Sequence, residues 1–490
     1  MRKQGLGNGG ALARAAFLAA ALCLAGCVHA PVYHVPATAV SNSFKEQPPD
    51  GWKHAQPSDG TLRGNWWEIF GDPALNRLEE QVSVSNQNIK QAEANFRAAE
   101  AAARVARSAL FPLVTGSMPI NGSQVSSRLS QFVHTPAPVG TYEIPINASY
   151  TADLWGSIHR AVTASAIGAQ VSEAQLESAR LVYQADLALY YFQLHGLDAD
   201  EVLLRQTLDS YSEYLVLTRN RFRGGVASDA DVAQAETQLY TTQSALVDLG
   251  VQRAQLEHAI AMLIGKPPAQ FSLPHAPIQV GPPSIPVGVP SELLERRPDI
   301  AQAERQAAAA NLQIGIAKAA FFPALTLSAE AGVESTSFVN WITWPSRFWA
   351  VGPQFAQILF DAGRRNAQVV EAQASYDATA ANYRQTVLTA FQQVEDNLAA
   401  LRVLQNEAGT LDRAVSSAQR ALTVSTAQYK AGTVSYLQVI TSQTIALQDE
   451  RSAVDLRTRR MTASVLLIEA LGGGWNAAQL PNTRQVVSQP

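Results

Sequence analysis

Two segments of the chain alternate between apolar and polar residues over ten or more positions. In 142–154 the even positions are mostly apolar, and in 325–334 the odd positions are. This period of two predicts strands with one apolar and one wet face, each paired with a less regular neighbour, 111–120 or 348–360. Outer-membrane barrel strands and amphipathic strands of a soluble sandwich both fit the pattern. Aromatic residues near the second hairpin tip suggest an interfacial girdle: Trp341, Trp344, Phe348 and Trp349.

Two much longer segments, 156–222 and 363–429, contain no proline and have 67 residues each. Each predicts a helix about 100 Å long. Their apolar and small residues recur at alternating steps of four and three, as in coiled coils, and we expect a shared helical wall rather than a tight rod. The recurring positions are Leu197, Glu201, Leu204, Leu208, Tyr211, Leu215, Thr218 and Phe222, then Leu404, Ala408, Leu411, Val415, Ala418, Leu422, Ser425 and Tyr429.

Glycines mark the expected end of both long helices. Gly224 and Gly225 follow the first, and Gly432 follows the second. Ser228 and Ser435 come next and are predicted to cap two returning helices of about 36 residues. The tight turns therefore form one end of the predicted structure, opposite the strands.

The chain is an internal repeat. Leu110-Phe111-Pro112 recurs as Phe321-Phe322-Pro323 at an offset of 211, and Gly156 recurs as Gly363 at an offset of 207. Each copy predicts helix, strand, loop, strand, long helix, turn and helix. The leading helix is expected over 72–109 in the first copy and from Pro298 in the second. The predicted segments are 72–265 for the first repeat, 266–290 for a proline-rich linker, 291–473 for the second repeat and 474–490 for a tail.

Four predicted strands are too few to close a barrel in a membrane, where the smallest known barrels have about eight. Identical chains must then share one barrel. Two chains would give eight strands and a filled interior, whereas three would give twelve and leave room for a pore. The count alone does not choose between them. The expected fold is mainly α with a membrane β-barrel portion.

The N-terminus has the pattern of a secretory signal over 1–26. Positive residues precede the apolar run 15–25, which is too short to span a bilayer comfortably. The run ends in Leu24-Ala25-Gly26-Cys27, which resembles a bacterial lipobox and predicts lipidation of Cys27, although an ordinary signal with an incidental cysteine is the alternative. A lipid-anchored N-terminal extension is then expected over 27–71.

The composition of the chain gives no indication of an enzyme or a metal protein. Charged residues make up 16% of the chain and the net charge is -4, which gives no indication of a nucleic-acid partner. With only Cys23 and Cys27, no disulfide framework or four-cysteine metal site is expected. None of the eight histidines has a metal-ligand spacing such as HExxH. We therefore predict no catalytic residues, no metal, no cofactor and no enzymatic activity.

Several motifs are spread over nearly the whole mature chain: Leu24–Cys27, Trp66-Trp67-x-x-Phe70-x-Asp72-Pro73-x-Leu75, Leu294-Glu-Arg-Arg-Pro-Asp-Ile300, Leu359-Phe360-Asp361-x-Gly363-Arg364, Arg221-Phe-x-x-Gly225 and Gln428-Tyr-x-x-Gly432. Together they resemble the TolC-like outer-membrane efflux protein family, in its lipoprotein (NodT-type) subgroup. The resemblance implies a homotrimer with a shared twelve-stranded β-barrel on an α-helical barrel. It also implies a periplasmic adaptor, an inner-membrane pump and outer-membrane lipid as partners.

The resemblance directs attention to the helix tips, where members of the family often narrow the pore. The candidates for the aperture are Asp229, Asp231 and Tyr436, although acids at a helix start are also explained by the helix dipole. The candidates for adaptor contact are Arg221, Gly224, Gly225, Ser228, Gly432 and Ser435. Because the second tip has no acids in these positions, gating by paired acidic rings is in doubt.

The function expected from these features is a passive exit duct for drugs or other small toxic compounds, lipid-anchored in the outer membrane with a large periplasmic portion. Two alternatives remain open. One is an exit duct for type I protein secretion. The other is a periplasmic coiled-coil lipoprotein that spaces the envelope layers without a pore, which would have no need of amphipathic strands.

Overall fold

The computed structural model describes residues 31–49, 64–124, 128, 138–278, 280–288 and 290–488. The predicted signal segment and Cys27 lie outside these residues. No helix in the described part of the chain is long and apolar enough to cross a bilayer.

The first repeat contains four helices and three strands in the described residues. In chain order they are α1 (Pro73–Ser85), α2 (Gln87–Ser108), β1 (Leu113–Gly116), β2 (Ile120–Ser123), β3 (Val139–Ala152), α3 (Ser157–Arg223) and α4 (Asp229–Leu263). A buried 3-10 turn, Trp66–Phe70, precedes α1.

The second repeat follows the same plan with fewer interruptions. Its elements are α5 (Leu293–Arg296), α6 (Pro298–Ala319), β4 (Ala324–Ser335), β5 (Arg347–Ala356), α7 (Arg364–Lys430) and α8 (Tyr436–Ala470), and a short helix α9 (Thr483–Ser488) follows. Pro298 occupies the first turn of α6, where its missing N–H costs no hydrogen bond.

The prediction of one leading helix over 72–109 was wrong. The helix is broken at Asn86, whose backbone is extended (φ -61°, ψ 125°). The Asn86 side chain accepts hydrogen bonds from the N–H groups of Asn88 and Ile89, so it caps a new helix rather than continuing the old one.

The strands form one antiparallel sheet in the order β1-β3-β4-β5, and β2 pairs with another part of β3. The predicted strand over 111–120 is therefore two short strands on one partner. The register aligns Ala148, Ala329 and Val351 across three strands, and Asn147, Glu330 and Ala350 directly beside them. Adjacent positions thus alternate between an apolar and a polar row, as the sequence predicted.

The two long helices, α3 and α7, have 67 residues each. This confirms the predicted length of about 100 Å. α3 packs against α2, α4 and α6, and α7 packs against α6 and α8. The predicted seam positions are buried or half-buried in both helices apart from Phe222, which is 44% exposed.

The largest apolar core lies near the middle of the long helices. Trp66, Phe70 and Phe192 belong to it, and the rings of Phe70 and Phe192 are 4.9 Å apart. Glu79 of α1 is fully buried here, and neither of its carboxylate oxygens has a hydrogen-bond partner. Burial without a partner raises the pKa of Glu79 well above its ordinary value, because the charged form loses its solvation and gains no hydrogen bond in exchange.

Residues 31–49 lie along the helices of the second repeat. Tyr33 donates a hydrogen bond to Glu304 Oε1 at 2.7 Å. The carboxylate of Glu395 accepts from two consecutive backbone N–H groups, those of Lys45 (2.7 Å) and Glu46 (2.8 Å). The expected N-terminal extension is thus fixed to the body by polar contacts, with Phe44 packed against the largest core.

Candidate functional site

The first helix tip joins α3 to α4 and is closed by a capping box. Ser228 accepts from the N–H of Asp231 at 3.2 Å, and the Asp231 carboxylate accepts from the N–H of Ser228 at 2.8 Å. Two backbone donors that lack partners inside the helix are satisfied in this way. The prediction that Ser228 caps the returning helix is confirmed.

The second tip, between α7 and α8, is built differently. Ser435 makes no side-chain cap, so the predicted cap at this position was wrong. The residue of the second repeat that corresponds to Asp231 is Gln438, and it does not complete a capping box. The tip is instead stabilised by Tyr436, which is 2% exposed and packs against Tyr429 in a tilted arrangement, with ring centroids 5.3 Å apart.

Arg221 connects the two tips. Its guanidinium donates to the carbonyl oxygens of Tyr429 (2.7 Å) and Lys430 (3.2 Å), which are the last residues of α7. The same group lies over the Tyr429 ring, 4.4 Å from its centroid. A cation near the C-terminal carbonyls of a helix is favoured by the helix dipole as well as by the hydrogen bonds. Arg221 therefore links the tip between α3 and α4 to the C-terminal end of α7.

The glycine turns fit their predicted places. Gly225 and Gly432 both have positive φ, 70° and 77°, and a Cβ atom on either would meet nothing within 4 Å. They are needed for backbone conformation rather than for space. Gly224 has an ordinary φ of -80° and ends α3.

The three aperture candidates lie in different surroundings. Asp229 is exposed at the start of α4, and Asp231 is engaged by the capping box. Tyr436 is buried within the single chain among Leu215, Ala235 and Val439, and this burial raises its pKa. Of the three side chains, only that of Asp229 belongs to an exposed residue of this chain.

At the opposite end, the sheet presents a continuous apolar surface. Trp349, Val351 and Phe355 of β5 point to one face and are 76%, 68% and 62% exposed. Trp341 lies elsewhere: it is buried against Tyr142, with ring centroids 5.5 Å apart, and so does not contribute to an exposed girdle. An exposed apolar face beside a polar one is typical of strands that separate lipid from water.

Sequence reasoning missed a charged cluster at the middle of the body. Asp198 is 1% exposed and accepts from Arg253 at 2.7 Å and from the backbone N–H of Ala276 at 3.0 Å. Burial alone would raise its pKa, but hydrogen bonds from His195, Ala276 and Arg253 outweigh that effect and lower it. Since these residues come from α3, α4 and the linker between the repeats, no local spacing could have identified them.

The chain matches the family described as "Outer membrane efflux protein" over residues 78–266 and 289–473, one match for each repeat. These two stretches make up most of its length. The chain belongs to the outer membrane efflux protein family.

Relatives within this efflux family align along almost the full chain. The pyoverdine export outer membrane protein OpmQ of Pseudomonas aeruginosa is 30% identical over 437 residues, which cover 88% of this chain and 92% of OpmQ. The toluene efflux pump outer membrane protein TtgC of Pseudomonas putida is also 30% identical, over 93% of this chain and 94% of TtgC.

A solved structure has the same fold. The outer-membrane channel OprN superposes with a TM-score of 0.82 at 27% identity, covering 92% of this chain and all of OprN. The predicted fold class and outer-membrane location are thereby confirmed.

Proposed function

We propose that this efflux protein is the outer-membrane exit duct of a tripartite system and passively exports small toxic compounds delivered by an inner-membrane pump through a periplasmic adaptor. OpmQ and TtgC, named for pyoverdine export and toluene efflux, support small molecules over secreted proteins as cargo. The duct takes part in no chemical step, and its energy comes from the pump.

The observation that carries this proposal is the open sheet. Within the described residues, β1 and β5 lie at its two edges and pair with no further strand. Unpaired backbone groups in a bilayer are costly, so the edges must be closed by other chains. If β1 and β2 count as one interrupted strand, three chains supply twelve strands around a lumen lined by the polar face. The spacer alternative gives this sheet no role.

Two neighbouring residues of β5 test the orientation of the sheet. Val351→Lys puts a charge on the apolar face and should cost about 2–4 kcal/mol near the bilayer midplane. Ala350→Lys, one position away on the polar face, is the matched control and should assemble normally. The readout is the fraction of trimer in purified outer membranes, by size-exclusion chromatography in mild detergent. Equal assembly of both variants, or a monomeric wild type that conducts no ions in planar bilayers, would contradict the proposal.

We further propose that Asp229 contributes a cation-attracting ring at the narrow end of the duct, together with Asp231, and that the surrounding turns contact the adaptor. Tyr436 is not part of this ring, because it is buried within its own chain. Asp229→Asn should reduce the cation preference measured from reversal potentials at low salt, because three carboxylates are lost from one ring. Asp248→Asn, an exposed acid further along α4, is the control. An unchanged preference in Asp229→Asn would leave only the helix-dipole explanation.

We also propose that lipid attached to Cys27 anchors the chain in the outer membrane. Cys27 is expected to carry acyl chains, palmitate among them, and to become the mature N-terminus. Mass spectrometry of the N-terminal peptide tests this directly, and an unmodified Cys27 in outer-membrane material would reject it. For cargo, deletion of the gene should increase susceptibility to small toxic compounds; a loss of protein secretion alone would favour the type I alternative.

A further inference from the structure

The charged cluster at the middle of the body joins the first repeat to the linker that follows it. His195, Asp198 and Glu201 are spaced three residues apart on α3 and therefore lie along one helix face. The linker crosses this face at His275 and Ala276. His275 Nδ1 lies 2.6 Å from Glu201 Oε2 and 3.5 Å from Asp198 Oδ1.

Three potential metal ligands converge at this crossing. The ligand atoms of Asp198, Glu201 and His275 all lie within 4.8 Å of one another. Two ligands of a tetrahedral zinc ion, each about 2.0–2.1 Å from the metal, are about 3.3 Å apart. The distance from His275 to Asp198 already fits this value. Glu201 would need to withdraw by about 0.7 Å as a metal replaces the proton between it and His275.

Access and side-chain freedom also suit a metal. The His275 side chain is 57% exposed, so an ion and its remaining water ligands can reach the site from solvent. Asp198 is fixed in place by Arg253, whose hydrogen bond to Oδ1 uses only one of the lone pairs of that oxygen. Glu201, on a longer side chain at the edge of the cluster, supplies the adjustable ligand.

The local charge favours a cation. Asp198, Glu201 and Glu257 contribute three carboxylates, and Arg253 and Arg205 contribute two guanidinium groups in ion pairs with them. With neutral histidines the cluster keeps a net negative charge. A nitrogen and two carboxylate oxygens form a ligand set that suits zinc and, in the same class, nickel or copper(II).

We propose that Asp198, Glu201 and His275 bind one divalent transition-metal ion, zinc being the best fit, which ties the linker between the repeats to α3. The site is independent of the export function. In the part of the chain that the structure describes, it occurs once, and the repeat positions of Asp198 and Glu201 are Gln405 and Ala408. A trimer would therefore hold three ions.

Metal titration of the full-length protein in detergent tests this proposal. After treatment with EDTA and buffer exchange, zinc chloride is added in an isothermal titration calorimeter, and bound zinc is counted by elemental analysis after dialysis. We expect one ion per chain. His275→Ala should abolish binding, and Glu201→Gln should weaken it by about tenfold or more. His275→Asn keeps a hydrogen-bond donor toward Glu201 and should also lose the metal, so it serves if the alanine variant assembles poorly.

The chain offers a matched control for a histidine–carboxylate pair without a third ligand. His159 Nδ1 lies 2.6 Å from Asp153 Oδ2, the same separation as His275 from Glu201, and in the described residues no third ligand joins them in such a group. His159→Ala should keep one zinc per chain. The proposal is overturned if the wild type takes up no zinc, if both His275 variants retain it, or if the His159 variant loses it.

Discussion

The junction between the leading and returning helices is built twice in this chain, with different side chains in the same place. Asn86 donates to the carbonyl oxygen of Leu263 at 2.9 Å, and Arg297 donates to that of Ala470 at 2.9 Å. Both carbonyls belong to the last residue of a returning helix and have no partner within it. The repeat has kept the backbone contact and not the residue that makes it.

The two solutions differ in what else the side chain does. Asn86 caps α2 with its oxygen while its nitrogen reaches Leu263. Arg297 provides no cap to α6, which begins with a proline, and instead reaches Gln393 and Asp299. In the first repeat, the Asn86 amide thus caps α2 and binds the end of α4. In the second repeat, the Arg297 guanidinium contacts α6, α7 and α8. The comparison shows that the hydrogen bond to the last carbonyl of the returning helix is kept in both repeats, whereas the side chain that donates it can change.

The largest expected effect concerns the glycine that follows each returning helix. A Cβ atom on Gly472 would lie 2.1 Å from the carbonyl oxygen of Arg296, and one on Gly265 would lie 2.5 Å from that of Ser85. Alanine at either position should cost about 2–5 kcal/mol, because backbone overlap adds to the strain of positive φ. Gly432→Ala, with the same sign of φ and open space, should cost only about 1–2 kcal/mol.

Thermal unfolding of the detergent-solubilised trimer, followed by tryptophan fluorescence, compares the three glycine variants. The shared geometry of the junctions would be refuted if Gly472→Ala and Gly265→Ala unfolded no earlier than Gly432→Ala.

The next largest effect should come from the side chain that differs between the junctions. Arg297→Ala removes charged hydrogen bonds in a buried setting and should cost about 1.5–3 kcal/mol, whereas Asn86→Ala should cost about 1–2 kcal/mol. Arg296→Ala is the control, since its half-buried ion pair with Glu292 should contribute less than about 1 kcal/mol. The same unfolding assay applies, and a larger loss in Arg296→Ala than in Arg297→Ala would reject this ranking.

A buried acid distinguishes the leading helices, because Glu79 lies in α1 and the second repeat has only the short α5 there. The pKa of Glu79 in the folded protein is raised above the ordinary 4.5. The part of the wild-type stability that depends on a neutral Glu79 is therefore fully present below pH 4.5, and it declines as the pH rises through the folded pKa. Glu79→Met removes two unsatisfied oxygens and should stabilise by about 1–3 kcal/mol at pH 8. The gain should shrink toward pH 4, as unfolding midpoints across this range would reveal; a gain independent of pH would contradict it.

The smallest effect concerns the tips. Ser228→Ala breaks the capping box of the first tip and should cost about 1 kcal/mol. Ser435→Ala, at the equivalent place in the second tip, should change little, because Ser435 makes no side-chain cap. Hydrogen exchange over the first turn of α4 and of α8 measures the two locally. Equal changes at both tips would show that the caps are not different after all.

The long elements were predictable because their signals are local. Uninterrupted heptad spacing and bounding glycines define α3 and α7, and strict alternation defines β3 and β4. The break at Asn86 was missed because no proline marks it. Asparagine is a favoured cap, but in a polar stretch that signal is weak until its partner Leu263 is known.

Contacts between distant parts of the chain were not predictable from spacing. Tyr436 was an aperture candidate at the helix tip, but its burial depends on Tyr429 and on neighbouring helices. The cluster around Asp198 depends on where the linker crosses α3, 74 residues along the chain from Glu201 to His275. Only the fold brings such groups together.

The N-terminal segment has a mechanical consequence. The hydrogen bonds described between residues 31–49 and the helices go to the second repeat, at Glu304, Asn311, Arg384, Glu395 and Arg402. A force on the N-terminal segment is therefore transmitted first to α6 and α7. It is shared among several hydrogen bonds spaced along these two helices, which are loaded in shear. Such a load reaches α3 through the packing of α3 against α6.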